Sequence, residues 1–466
     1  MRLILLSVAC VVCAAVSTLL PAPTGAQDPA PSIARVLEDR AAGNADLPDP
    51  RKHEWLENIE MEDALKLAAK EKRPLFVTIR CLPCKQCSWW DNALMKPSTE
   101  VQAKLSNFIC VRIVSMRDMD ARLFRFEEYQ DLDCSWWGYF FDPDGRIYSV
   151  YGGIDITGDK ARMSEKGLMA AMDGVLSHHY HPKRSEWAID GPAPELKGKP
   201  DTPLKHKGWK SWARHAERAD KIAKDKTECL HCHECAEVVR QPRFDKKDFD
   251  KQKDFYVWPY PENIGLELEL DSSLLVKKVL PDSAAAKAGI KAGDMLQAAG
   301  DRLVFSTTDL RGVLHRLPFG DAELTLWFSN KDGVQSVELA LVGEWRKYNP
   351  GWRKSVAEAD IGAHHGFPWP LACNDSDRQK AGVAKDVMCV KPYFPKGPVG
   401  NAGKAGLKAG DYIIAVGGES PNIAGREFCA WFRMKYEPGD KVKYTVADSN
   451  GKQREVEVKV GRHSDD

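Results

Sequence analysis

Two cysteine clusters carry the densest chemistry in the chain. Cys81-Leu-Pro-Cys84-Lys-Gln-Cys87 follows the β-branched run Leu75-Phe-Val-Thr-Ile79 and opens a stretch with helical character. A C-x-x-C at a strand-to-helix turn has a mechanism. The free N–H groups of a helix N-terminus stabilise the first thiolate, so Cys81 attacks and Cys84 resolves the mixed disulfide. Cys87, one turn on, adds a third thiol that would tune or take over that role. A structural disulfide, or a metal held by the three sulfurs, are the other readings this spacing leaves open.

The second cluster is Cys229-Leu-His-Cys232-His233-Glu-Cys235. It contains C-x-x-C-H, in which two thiols form thioethers to a haem and the adjoining His presents an axial nitrogen. Cys229, Cys232 and His233 would then bind covalent haem c. No Met lies between Met172 and Met295, so a sixth ligand would come from His215, His206, His178, His179 or His181, or the iron would be five-coordinate. A structural zinc on Cys229, Cys232, Cys235 and His233, or a disulfide with one spare thiol, explains the same residues.

The elements that must position these clusters span 466 residues, enough for roughly three domains at about 150 residues each. Lys plus Arg, 67, balances Asp plus Glu, 67, which argues against a nucleic-acid binder. Arg2, the apolar run Leu3 to Leu20 and the small residues up to Ala26 describe a secretory signal peptide cut near Ala26. No later segment is apolar enough to span a bilayer. The expectation is a periplasmic or secreted protein, where disulfides persist.

Residues 27–50, rich in Pro, Ala and Asp, read as a disordered leader. Met61 to Lys70 has helical apolar spacing, with Leu65, Ala68 and Ala69 on one face. Leu75–Ile79, Phe108–Val114 and Gly138–Phe141 read as strands, Asp142-Pro-Asp-Gly145 as a turn into Ile147–Val150, and Glu165 to His178 as a final helix. That α/β order, the strand before Cys81-Leu-Pro-Cys84-Lys and the Phe141-Asp-Pro-Asp-Gly145 turn resemble the thioredoxin-like superfamily. The resemblance implies Cys81 as nucleophile and Cys84 as resolving thiol. Two departures stand out. Arg80 replaces the usual Trp, and Trp136-Trp137 occupy the place of the family's cis-proline. Cys110 and Cys134 sit on or near strands and are expected to be buried and inert.

Residues 183–255 are Pro-rich, then Lys-rich and helical around Trp209 to Lys226, too thin for a core of their own unless something staples them. Beyond them Ala288-Gly-Ile-Lys-Ala-Gly-Asp294 recurs as Ala405-Gly-Leu-Lys-Ala-Gly-Asp411. These blocks resemble the PDZ domains of high-temperature-requirement proteases. The resemblance implies carboxylate-binding loops at Ile264-Gly265-Leu266 and Ile361-Gly362. It also implies a groove helix bearing Leu310 and Leu314, with Val313 and Leu317, and a second bearing Phe428, Trp431 and Phe432. An extended C-terminus would add a strand beside such a loop. The second copy is longer between loop and repeat block. That insert brings His364-His365, expected as an exposed loop pair, and Cys373, which could pair with Cys389.

No Gly-Asn-Ser-Gly-Gly or Gly-x-Ser-x-Gly nucleophile occurs, so peptidase activity is not expected. The expected fold class is multidomain, α/β plus mainly-β. It comprises a thioredoxin-like domain (51–182), a helical Pro/Lys-rich linker with C-x-x-C-H (183–255) and two PDZ-like β-sandwich or barrel domains (256–345 and 355–462). The order resembles exported bacterial proteins that pair a thioredoxin-like domain with PDZ modules, some relatives carrying selenocysteine at the position of Cys81. The leading expectation is a thiol–disulfide redox protein. Its PDZ grooves would bind peptide C-termini or partner proteins, with a redox partner and no nucleic acid. The alternatives are a haem c electron-transfer protein and a non-catalytic interaction scaffold.

Overall fold

The structure, a computed structural model, describes residues 32–57, 59–80, 85–134, 136–158, 161–198, 201–210, 218–225, 228, 230–395 and 397–463. The side chains of residues 80, 85–87 and 219 are outside that description, as are the proposed signal peptide, Cys81, Cys84, His215 and Cys229.

Five strands form the first sheet: β1 (Trp55–Glu57), β2 (Leu75–Arg80), β3 (Ile109–Ile113), β4 (Trp136–Phe141) and β5 (Ile147–Tyr151), in the order β1-β3-β2-β4-β5. β2 runs parallel to β3 and antiparallel to β4. Leu75, Phe76 and Val77 are fully buried, because the sheet is covered on both faces and central strands there read as continuous apolar runs. Helix Met61–Glu71 packs Ala64, Leu65 and Ala68 on one face with Val77 and Tyr139. Helix Glu165–His179 packs Leu168, Met172 and Val175 on the other with Phe76 and Phe140. β4 starts at Trp136, two residues before the expected Gly138, because Trp136 and Trp137 pair with Arg80 and Ile79 and bury their rings. Gly138 has to be glycine: a Cβ there would lie 2.7 Å from the Phe76 ring.

Two flanking segments join this domain. In place of a disordered leader, Ile33–Ala42 is helical, capped by Ser32, and buries Val36 and Leu37. Its Asp39 accepts the Trp187 indole N–H at 3.1 Å. The thin segment after Pro182 solves its burial problem by borrowing: Trp209, Ile222, Leu230, Cys232, Cys235 and Val238 complete the core on the Tyr139 face of the sheet. The helix expected from Trp209 to Lys226 appears as two pieces, Lys207–Lys210 and Arg218–Lys224, with the residues between them outside the description.

The C-terminal half is β-rich. Its strands are β6 (Leu266–Leu268), β7 (Val276–Val279), β8 (Met295–Ala299), β9 (Arg302–Leu303), β10 (Ala322–Asn330), β11 (Gly333–Leu341), β12 (Trp369–Ala372), β13 (Val390–Tyr393), β14 (Tyr412–Val416), β15 (Lys441–Ala447) and β16 (Gln453–Lys459). They form sheets β6-β7, β11-β10-β8-β9 and β12-β13-β14-β15-β16. The sequence repeat is a structural repeat. Gly289 and Gly293 have φ of 83° and 93°, and Gly406 and Gly410 have 103° and 89°, values that favour glycine. In each copy the terminal Asp accepts a backbone N–H three residues back, Asp294 from Lys291 and Asp411 from Lys408.

The halves are joined by a buried ion network. Asp131, in the loop before β4, accepts Arg311 Nη2 at 2.7 Å and Arg353 Nη1 and Nη2 at 2.6 and 2.9 Å. Asp133 accepts Arg353 Nη1 at 3.1 Å and the Ser355 N–H at 2.8 Å. Beside it, Asp309 on helix Thr307–Arg316 accepts the Val150 N–H and the Ser149 hydroxyl of β5. Burial opposes ionisation of Asp131, but Arg353 and Arg311 outweigh it and hold the carboxyl below its usual range. Asp131→Asn removes the carboxylate paired with buried Arg311 and one of the two paired with buried Arg353, so stability at pH 7 should fall by about 3–5 kcal/mol. Urea unfolding of the full chain reads it; an unchanged midpoint would contradict the assignment.

Candidate dithiol site and its surroundings

β2 ends at Arg80 and a helix begins at Lys85, running to Met95. The four residues between them in sequence are Cys81-Leu-Pro-Cys84. Arg80 stands opposite Trp136 in the register of β2 with β4. Trp136 is buried and stacks on Trp90 of the Lys85–Met95 helix, centroids 5.4 Å apart at 24°. Trp89, 39% exposed, meets Trp90 edge-on. The end of β2 is therefore walled by indoles, with Trp136 where the thioredoxin-like resemblance expects proline. No cis peptide bond occurs among the described residues. Cys110 and Cys134 are each 1% exposed, and burial pushes both thiols up, so neither offers a thiolate.

Residues 130–134 lead into β4, and the second cysteine cluster touches them. Gln130 Nε2 lies 3.7 Å from Cys232 Sγ, while its Oε1 accepts the Tyr139 hydroxyl at 3.2 Å. Sequence reasoning missed Gln130, which carries no signal among Glu127, Glu128, Asp131 and Asp133. Cys232 opens helix Cys232–Asp245 and is 7% exposed; Cys235 is 2% exposed with its thiol pushed well up by burial. His233 is held to about 4, first by burial and then by Lys354, and its Nδ1 has no partner among the described residues. Glu234, also missed, accepts the His231 N–H at 3.0 Å and pairs with Arg218.

The described donors do not gather as a metal centre: among the described residues no group of three or more His, Cys, Asp or Glu could hold an ion. The upstream histidines have other partners. His178 Nε2 meets Asp190 at 2.6 Å, His179 Nδ1 meets the Tyr148 hydroxyl at 2.8 Å, and His181 Nε2 meets the Asp39 carbonyl at 3.2 Å. His206 Nδ1 accepts the Gly208 N–H at 3.2 Å.

In the first repeat, Ile264, Leu266, Leu310 and Leu314 are fully buried in one core with Leu296 and Leu326. Gly265, φ 93°, donates its N–H to the Glu262 carbonyl; a Cβ there would lie 2.0 Å from the Ser283 hydroxyl. In the second repeat Ile361 is buried and Gly362 has φ 94°. Arg433 of helix Gly425–Lys435 donates to the Val356, Ala357 and Ala359 carbonyls just before that loop. His364 and His365, expected as an exposed pair, are 6% and 3% exposed. His365 is drawn in by Phe367, Phe428 and Phe432, with Nε2 3.3 Å from Cys429 Sγ. Burial lowers the His365 imidazole and pushes the Cys429 thiol up to about 12, so this pair is neutral.

Residues 54–141 match the thioredoxin-like family model. This stretch is a thioredoxin-like domain. Over 179 residues, 36% of the chain, the protein is 27% identical to the "Probable periplasmic serine endoprotease DegP-like" of Brucella suis biovar 1, covering 31% of that protein. Over 161 residues, 34% of the chain, it is 29% identical to the "Periplasmic serine endoprotease DegP" of Escherichia coli K12, covering 30% of it. The chain thus spans about a third of the length of these curated relatives. A solved structure, "HtrA-type protease AlgW with decapeptide", aligns at 16% identity over 36% of this chain and 55% of that one, with a TM-score of 0.19. The partial similarity to DegP proteins is consistent with HtrA-type PDZ domains in this chain. Among the described residues no helix is long and apolar enough to cross a membrane.

His315, on helix Thr307–Arg316, closes the space beneath residues 130–134. Its ring stacks on Trp258 at 5.0 Å, and burial, then Arg346, hold it to about 3. Its folded value is depressed, so the unfolded chain takes the proton first. Its contribution is complete above the ordinary histidine value near 6.5 and is lost as pH falls toward 3. His315→Gln should remove about 2–3 kcal/mol of the stability lost between pH 7 and 4.5. Denaturant titrations at the two pH values check this, and parallel losses in variant and parent would refute it.

Proposed function

We propose that the chain is an exported thiol–disulfide redox protein whose C-terminal PDZ modules bind peptide C-termini or partner proteins. The observation that carries this reading is the thioredoxin-like match across β2, with Cys81-Leu-Pro-Cys84 lying in sequence between the end of that strand and the start of an 11-residue helix. The Cys81 thiolate attacks a substrate disulfide, forming a mixed disulfide and releasing one substrate thiolate. The Cys84 thiolate then attacks the Cys81 sulfur, releases the second substrate thiolate and leaves the Cys81–Cys84 disulfide. Two thiols are oxidised and one disulfide is reduced; reversal oxidises a substrate dithiol. Cys87 offers a third sulfur to the same turn.

Export is supported by the signal-like N-terminal pattern and by relatives whose names call them periplasmic. The PDZ reading rests on the repeated Ala-Gly-x-Lys-Ala-Gly-Asp block and the partial similarity to DegP proteins, and it is not accompanied by the nucleophile motif of a peptidase. Ile264-Gly265-Leu266 and Ile361-Gly362 would supply the loops that take a terminal carboxylate, beside the Leu310–Leu314 helix in the first copy.

The second reading, electron transfer through haem c on Cys229, Cys232 and His233, is favoured by His233 Nδ1, which has no partner among the described residues. The burial of Cys232 against Gln130 and the core counts against it, since a macrocycle bonded to that sulfur needs open space.

Cys81→Ser should abolish insulin reduction by the full chain, and Cys84→Ser should trap a mixed disulfide with substrate. Undiminished activity in Cys81→Ser would refute Cys81 as the nucleophile, no activity in the parent chain leaves the scaffold reading, and a pyridine haemochrome band from protein made with haem maturation would establish the electron-transfer one. For the PDZ modules, affinity for a C-terminal peptide library should be lost when the peptide carboxylate is amidated; equal binding of acid and amide would rule out carboxylate capture.

A further inference from the structure

The insert in the second repeat brings two cysteines face to face. β12 pairs with β13 in antiparallel register, Trp369 opposite Tyr393 through Ala372 opposite Val390. One step further along the same ladder sets Cys373 opposite Cys389, the arrangement in which facing Cβ atoms come closest. Cys373 packs against the buried cluster that contains Cys389. Cys389 is 2% exposed and packs with Ala381, Tyr412 and Ile414, while Cys373 is partly open to solvent.

The chain between them is preorganised. Asn374 caps helix Asp375–Ala381, Gly382 closes it at φ 69°, and Arg378 donates Nη1 to the Ala384 and Val387 carbonyls, tying the return segment to the helix. Tyr412 holds Asp377 from the neighbouring strand at 3.1 Å. None of these bonds involves sulfur, so the two cysteines face one another whatever their oxidation state.

We propose that Cys373 and Cys389 form a second dithiol/disulfide couple of this protein, a cross-strand bond that locks edge strand β12 onto β13. It is separate from the Cys81–Cys84 turn and does not depend on it. The oxidant is a small disulfide such as oxidised glutathione, or a protein disulfide of the same chemistry. The solvent-facing Cys373, as thiolate, attacks one sulfur of the oxidant, giving a mixed disulfide and one released thiolate. Cys389 then loses its proton and attacks the Cys373 sulfur, expelling the second thiolate. The pair loses two electrons and two protons, and the oxidant becomes two thiols. Solvent access at Cys373 makes the bond reversible.

The test maps thiols in the full wild-type chain equilibrated across glutathione ratios, using alkylation before and after reduction with mass spectrometry. The expected result is a Cys373–Cys389 cross-link, two hydrogens lighter than the dithiol, that persists when Cys81, Cys84 and Cys87 are all replaced by Ser. Cys389→Ser should instead leave Cys373 carrying a glutathione adduct. Proteolysis within residues 374–388 should slow several-fold on oxidation. The proposal is overturned if both thiols alkylate in full under oxidising ratios, or if either links to another cysteine. Wild-type mapping decides even where a variant fails to fold. A cross-link with no activity at Cys81 would sink the redox reading of the turn and leave this one standing.

Discussion

The interaction on which the assembly depends is the Asp131 carboxylate enclosed by two guanidinium groups. Asp131 belongs to the thioredoxin-like domain, Arg311 to the first repeat and Arg353 to the chain entering the second; all three are at most 1% exposed. Each charge alone would be costly to bury, and together they satisfy one another only if the three segments are present at once. The Trp258 carbonyl also accepts from Arg311 Nη2 and the Val257 carbonyl from Arg353 Nη2, and Asp133 with Ser355 closes the rim. This is a condition on geometry more than a gain in stability. Apolar replacements could bury as well, but they would not fix the angle between the segments.

That condition falls on a loop with a second duty. Residues 130–134 run directly toward Trp136, which faces Arg80 at the end of β2. Gln130 in the same loop reaches Cys232, and Trp137 donates its indole N–H to the Cys134 carbonyl at 3.3 Å. This segment, which leads to the strand beside the end of β2, is thus clamped from one side by the C-terminal repeats and from the other by Cys232 of the second cysteine cluster. A thioredoxin-like domain whose loop before β4 is committed to its own chain has a different surface from one whose loop is free. The indole wall of Trp136, Trp90 and Trp89 adds to that difference.

How much of this was legible in the sequence follows the range of the forces involved. The strand around Leu75–Ile79 could be read because burial on both faces writes a β-branched apolar run, Ile147–Val150 because the Asp142-Pro-Asp-Gly145 turn leads into it, and the repeat because two glycine conformations and an Asp cap must recur together. Trp136 was misread as outside the strand, since nothing local distinguishes a buried indole from a loop residue. The His364-His365 pair looked exposed because its aromatic neighbours Phe428 and Phe432 lie far along the chain. The helix at Ile33–Ala42 was lost in a Pro- and Asp-rich composition, although Ser32 and the Val36-Leu37 pair carry its signal. Asp131 with Arg311 and Arg353 was invisible: a lone Asp in a loop reads as solvated until partners 180 and 222 positions away close on it.

Burial then sorts the cysteines. Cys110, Cys134, Cys235 and Cys429 lie in apolar surroundings that keep each thiol protonated, so they pack as small hydrophobic residues. Cys373 differs because its partner is another thiol across a ladder and one of the two meets solvent. Cys81 and Cys84 differ by adjoining, in sequence, the start of a helix long enough to carry a dipole. A chain with many cysteines in an oxidising compartment is usually stapled by them. Here the hydrophobic cores and the Asp131 network hold the described segments together without a disulfide among the described residues.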